Sequence, residues 1–238
     1  MALPQIGIVK YHTVIPSTGE TIEFRPYTVK EEKALLLALE TKDQLAQVSA
    51  VKDLIQNCTL GNIKADSIAM FDFEYLFLQI RSKSVGEIAN LGVKCSSCDA
   101  SNKVDIELDK IEVKGDIKPS TKVMLTDSVG VMVSYPKVKG VMRQLKGNSK
   151  KTTDYEQTLN IIASCIDSIF DEESVYDAGD HTPAELLAFV ESLSASQFKE
   201  ILSLFNEMPT LKEEVKFSCS KCSADNSVTL EGLQSFFS

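Results

Sequence analysis

Two pairs of cysteines carry the chemistry that can be read from this chain: Cys95 with Cys98, and Cys219 with Cys222. Each pair has the C-x-x-C spacing that lets two thiolates face one metal ion, and two such pairs complete a tetrahedral site suited to zinc. The surrounding residues repeat as well. Val93 to Val104 and Phe217 to Val228, aligned on the cysteines, also match at Ser96/Ser220, Ala100/Ala224, Asn102/Asn226 and Val104/Val228. Each copy reads as an apolar strand, a cysteine knuckle, a small polar turn and an outgoing strand. Four thiolates leave no open position for water or substrate, so the expected zinc is structural. Metal-free thiols would leave the matched spacing unexplained. A redox C-x-x-C would not explain the duplication, and no βαβ pattern precedes either pair.

About 120 residues lie between Cys98 and Cys219. Closing a loop of that length costs about 4 kcal/mol in chain entropy. Structural zinc sites release roughly 10–16 kcal/mol at neutral pH, enough to offset it. The sequence therefore predicts a zinc ribbon split between 88–108 and 215–231, in a single domain spanning 1–238. The ribbon would enclose a β-hairpin at 122–134 and a helical insertion at 153–207, with the middle helices clamped between the knuckles. Residues 1–87 would supply an N-terminal hairpin and helices. The fold class expected is α+β and helix-rich.

The elements that must position the knuckles follow from periodicity and caps. His12–Pro16 and Thr21–Tyr27 read as strands around the turn residues Ser17-Thr18-Gly19-Glu20. Helices are predicted over about 28–40, 43–57, 66–83, 153–168, 183–193 and 196–207. Thr28 with Glu31, and Thr153 with Glu156, match capping boxes. Thr182-Pro183-Ala184-Glu185 is a helix start of the same kind. Leu35, Leu36, Leu37 and Leu39 give the first helix an apolar face wide enough for more than one neighbour. The aromatic run from Phe71 to Phe77 reads as core, and so do Cys58 and Cys165. Lys146 to Lys151 reads as a polar linker, and Asp171 to Asp180 as an exposed acidic loop.

Composition narrows the function classes. The chain has 238 residues, 43% of them hydrophobic and 25% charged, the profile of a globular protein. Its net charge of −9 disfavours broad contact with a phosphate backbone, so no nucleic-acid partner is expected. No apolar run has membrane-spanning length, and Met1 to Ile6 lacks a secretory signal pattern, so no membrane partner is expected either. Only His12 and His181 are available for imidazole chemistry, and no nucleophile, phosphate-loop or dinucleotide motif accompanies them. The sequence does not read as an enzyme.

Two segments carry a family resemblance. Glu23 to Leu36, EFRPYTVKEEKALL, and Phe73 to Glu87, FEYLFLQIRSKSVGE, resemble the baseplate hub proteins of T-even-type contractile-tailed bacteriophages. The resemblance implies a non-enzymatic structural or assembly role in the central hub of the tail baseplate. It also implies partners among other hub or tail proteins, residence in the host cytoplasm during assembly and, for a hub subunit rather than an assembly factor, a place in the virion. It leaves the oligomeric state open. The two segments are expected to form one unit, with Arg25 and Arg81 as candidates for buried or partner-facing ion pairs. The competing reading is a zinc-ribbon module that binds nucleic acid or a transcription complex.

Overall fold

The computed structural model describes residues 7–41, 43–118, 120–147, 153–232 and 235. Among the described residues helix accounts for 42% and strand for 26%, an α+β fold weighted towards helix as the sequence predicts. Three apolar cores organise it.

The first core joins a hairpin to helices. Strands β1 (Tyr11–Val14) and β2 (Thr21–Phe24) pair antiparallel, bringing Ile22 and Phe24 inward. Helices α1 (Val29–Glu40), α2 (Gln44–Cys58) and α3 (Met70–Val85) follow. Phe73, Leu76, Phe77 and Ile80 of α3 are fully buried against Val51, Leu54 and Ile55 of α2, and Cys58 is buried with them. The Thr28 capping box is present, and its glutamate does two tasks. Glu31 accepts from the Thr28 backbone N–H at 2.7 Å and receives both Arg25 guanidinium nitrogens at 2.7 and 2.9 Å. Arg25 first, through its hydrogen bond, and then the Thr28 donors hold the Glu31 carboxyl at about 2 against the cost of burial. Arg25 thus forms a partly buried ion pair with Glu31. Arg81 is half-buried near Tyr27 and forms no ion pair among the described residues. Tyr27 N–H donates to Ser84 Oγ at 3.0 Å, which joins the two resemblance segments directly. Asp72, fully buried, accepts from the Ser17 backbone and hydroxyl and pins the hairpin turn to α3.

The wide face expected on α1 is not covered. Only Leu35 is buried, while Leu36 and Leu37 are each 54% exposed. One neighbour, α2, suffices to bury a single stripe of a twelve-residue helix. The predicted start of the third helix at 66 is also early. Its first turn gives way to turns, and an isolated bridge from Ala69 to Lys137 fixes the entry to α3.

The knuckled unit comes next. Strands β3 (Ile88–Lys94) and β4 (Ser101–Glu107) form one hairpin. After a short 3-10 turn at Leu108–Lys110, β5 (Val113–Lys114) leads away. A second hairpin follows, strands β6 (Thr121–Met124) and β7 (Gly130–Val133). Then come α4 (Val138–Gly147), α5 (Asp154–Ser164), β8 (Ile166–Phe170), β9 (Val175–Asp177), α6 (Pro183–Glu191) and α7 (Ala195–Asn206). The chain closes with β10 (Thr210–Ser218) and β11 (Asp225–Glu231). Lys146 and Gly147 of the supposed polar linker belong to α4, and 148–151 lie outside the described residues.

Three expectations fail in the insertion. The helix predicted over 153–168 stops at Ser164, and Ile166–Phe170 is a strand between β7 and β9. Ile162, Ile166 and Ile169 fit helical spacing, but pairing with β7 takes the β-branched residues into a four-stranded sheet, β6-β7-β8-β9. Cys165 is the buried cap between helix and strand. Part of the supposed acidic loop is the edge strand β9. The middle helices are not clamped between the knuckles either. α5, α6 and α7 pack on the four-stranded sheet in a core of their own, through Ile162, Val190 and Ile201. A sheet face offers them more apolar area than two narrow knuckles can.

Candidate metal centre

Each cysteine pair sits at the tip of a hairpin, and the two hairpins have the same register. Lys94 pairs with Ser101 at the first tip and Ser218 with Asp225 at the second. Within each knuckle the backbone closes identically. Cys95 N–H donates to Ala100 O and Cys219 N–H to Ala224 O, both at 2.9 Å. Asp99 N–H returns to Cys95 O at 3.0 Å and Ser223 N–H to Cys219 O at 2.9 Å. This closure needs a left-handed residue after the second cysteine, and Asp99 (φ 55°) and Ser223 (φ 56°) supply it.

The hairpins face one another over a shared core of Leu91, Ile106, Leu108, Ile111, Leu211, Val215 and Leu230, joined by Leu78 from α3. β5 fixes the docking by pairing with the start of β10, Leu211 opposite Val113. There Gly115, at φ 126°, passes Pro209 so closely that a Cβ would lie 3.0 Å from its Cα.

The four sulfurs converge. Cys95, Cys98, Cys219 and Cys222 all lie within 4.8 Å of one another, with Cys95 to Cys222 and Cys98 to Cys219 at 3.7 Å. A tetrahedron with arms of about 2.3 Å has edges of about 3.8 Å, so this donor set fits a metal held by four thiolates. All four cysteines are free. Cys95 and Cys219 are buried, Cys98 is intermediate and Cys222 is exposed. The site therefore has an inner and an outer pair.

Electrostatics follow that division. The Cys222 and Lys221 amides aim at the Cys219 sulfur and pull its pKa down to about 6. The Ser97 amide, 3.4 Å from the Cys95 sulfur, lowers that thiol similarly. The outer thiols go the other way. Ala100 N–H favours the Cys98 thiolate, but Cys222, burial and the remaining sulfurs outweigh it and push it up to about 12. The Ala224 amide and the Cys98 sulfur favour the Cys222 thiolate, but burial and the Cys219 and Cys95 sulfurs outweigh them and raise it. Four thiolates this close repel one another, and a bound cation reverses the balance.

The sequence left two contributors without a role. Asn102 and Asn226 were matched in the repeat, yet each acts on the opposite knuckle. Asn226 Oδ1 accepts from Ser96 N–H and Oγ at 2.9 and 2.8 Å, and Asn102 Oδ1 accepts from Ser220 N–H and Oγ at 2.8 and 2.9 Å. Their recurrence at the same offset was the available signal.

Fold and site together define an α+β protein whose two knuckled hairpins build one four-thiol centre. The family model described as T4 bacteriophage base plate protein matches residues 8–238, and the chain belongs to that family. No curated protein and no solved structure matches it. Membership makes it a structural phage baseplate protein that interacts with other phage structural proteins. No helix among the described residues is long and apolar enough to cross a membrane.

Proposed function

We propose that this chain is a non-enzymatic subunit or assembly factor of the central hub of a contractile phage tail baseplate. In this reading it is one domain closed by a structural zinc on Cys95, Cys98, Cys219 and Cys222. The observation that carries the reading is the family match over nearly the whole chain. The two segments that resemble hub proteins supply the hub assignment. The thiol geometry supports zinc, since an all-sulfur tetrahedral donor set suits zinc and leaves no position open for catalysis. The residues' own contribution is to orient four sulfurs, shield two of them from water and direct amide N–H groups at them. Assembly would take place in the host cytoplasm, with other hub or tail proteins as partners and the virion as destination.

A pull-down from infected cells with mass spectrometry tests the partners. Recovery of tail or baseplate proteins is expected, and recovery of replication or transcription proteins alone would overturn the hub reading. Metal analysis of purified protein tests the zinc. About one zinc per chain is expected, whereas two would mean that each knuckle finds ligands elsewhere.

A further inference from the structure

The proposed metal joins two knuckles about 120 residues apart in sequence, yet they are already joined by side chains. Asn102 leaves β4 beside the first knuckle and reaches the second, and Asn226 leaves β11 beside the second and reaches the first. Each amide is used at both ends. The oxygen accepts the backbone N–H and the hydroxyl of the facing serine. The nitrogen donates to its own knuckle's carbonyl, Ala100 O at 2.9 Å or Ala224 O at 2.7 Å. It also points at the inner sulfur opposite, Asn226 Nδ2 to Cys95 at 3.5 Å and Asn102 Nδ2 to Cys219 at 3.7 Å.

The arrangement is reciprocal and buried. Asn102 is 7% and Asn226 9% exposed, among the few buried polar side chains described. A buried amide left unpaired would cost more than its bond contributes, so each asparagine holds strongly to the geometry that satisfies it. None of these contacts requires a metal.

We propose that Asn102 and Asn226 form a crossed latch that docks the knuckles and pre-assembles the four-thiol site before metal arrives. Both are positioning residues: the amide oxygens align the knuckles, and the amide N–H groups aim at the Cys95 and Cys219 sulfurs and orient them. The site then fills without ordering the chain, so metal entry is a local event at the outer edge, where Cys222 is exposed. The affinity part of this inference rests on the metal reading, but the docking part does not.

The test uses the full chain, metal-free and cobalt-loaded. In metal-free protein the Ser96 and Ser220 amides should exchange slowly with solvent. Asn102→Ala and Asn226→Ala should each speed the facing serine's exchange about 5–10-fold, the equivalent of one lost hydrogen bond. Cobalt affinity should fall about 10–100-fold, as for other outer-shell partners of metal ligands. Asn226→Asp separates the two roles. It keeps the oxygen that accepts from Ser96 but loses the N–H aimed at Cys95. Ser96 should stay protected while the sulfur-to-cobalt absorption band shifts and affinity drops. Protected amides in α3 show that each variant is folded.

Fast exchange at Ser96 and Ser220 in metal-free wild type would overturn the latch, as would alanine variants with unchanged exchange and affinity. A wild type that takes up no cobalt defeats the metal reading instead, and the exchange comparison still decides the latch.

Discussion

Around Phe73 and Phe77, helix α3 is covered by apolar side chains from α2, β2 and α4, with Asp72 beside them buried through its hydrogen bonds to Ser17. Around Cys95 and Cys219 the buried atoms are sulfurs, amides and hydroxyls, at the tips of two hairpins with a thin core beneath them. The first region is specified mainly by apolar packing. The second is specified by polar geometry and, on the proposed reading, completed by an ion. Removing metal should therefore lower the stability of the second region, with the Asn102 and Asn226 contacts keeping its knuckles docked, and leave the first unchanged.

The largest effect is expected from Cys219→Ser. Zinc should fall from about one per chain to none, removing much of a term of roughly 10–16 kcal/mol. Hydrogen exchange should quicken in the knuckle turns at 97–99 and 221–223, with Ser96 and Ser220 still held by Asn226 and Asn102, while α2 and α3 keep their protection. Equal loosening everywhere would erase the contrast between the regions. Phe73→Ala should act in reverse. It should cost about 3–5 kcal/mol in thermal or denaturant unfolding through the cavity it leaves, with zinc content unchanged.

A smaller effect is expected at the Arg25–Glu31 pair. The Glu31 carboxyl titrates at about 2, below its ordinary 4.5, because Arg25 and the Thr28 donors hold it charged. Its contribution is present in full above pH 4.5 and is lost as pH falls towards 2. Glu31→Gln should lower stability at pH 7 by about 1.5–3 kcal/mol, the range for hydrogen bonds to a charged group. It should also flatten the acid limb of the stability–pH curve. Thr182→Ala should cost least, about 1 kcal/mol, by removing the cap of α6. That change should touch neither the α3 core nor the cysteines, as amide exchange confined to α6 would show.

The sequence by itself determined whatever depends on near neighbours. The capping boxes at Thr28, Thr153 and Thr182 are local hydrogen bonds, and they form where they were read. The aromatic spacing of α3 and the two knuckles are equally local, because three or four residues fix each pattern. Tertiary structure decided the rest. Ile166 and Ile169, three apart, satisfy helical spacing rather than strand alternation, and only β7 alongside, with a register shift at Met132/Val133, makes them a strand. The leucines of α1 cannot reveal how many neighbours will cover them, and the fold provides one. The repeat marked Asn102 and Asn226 but not their targets. A side chain's partner across about 120 residues follows from how two hairpins face each other, a long-range packing result that no spacing within either copy encodes.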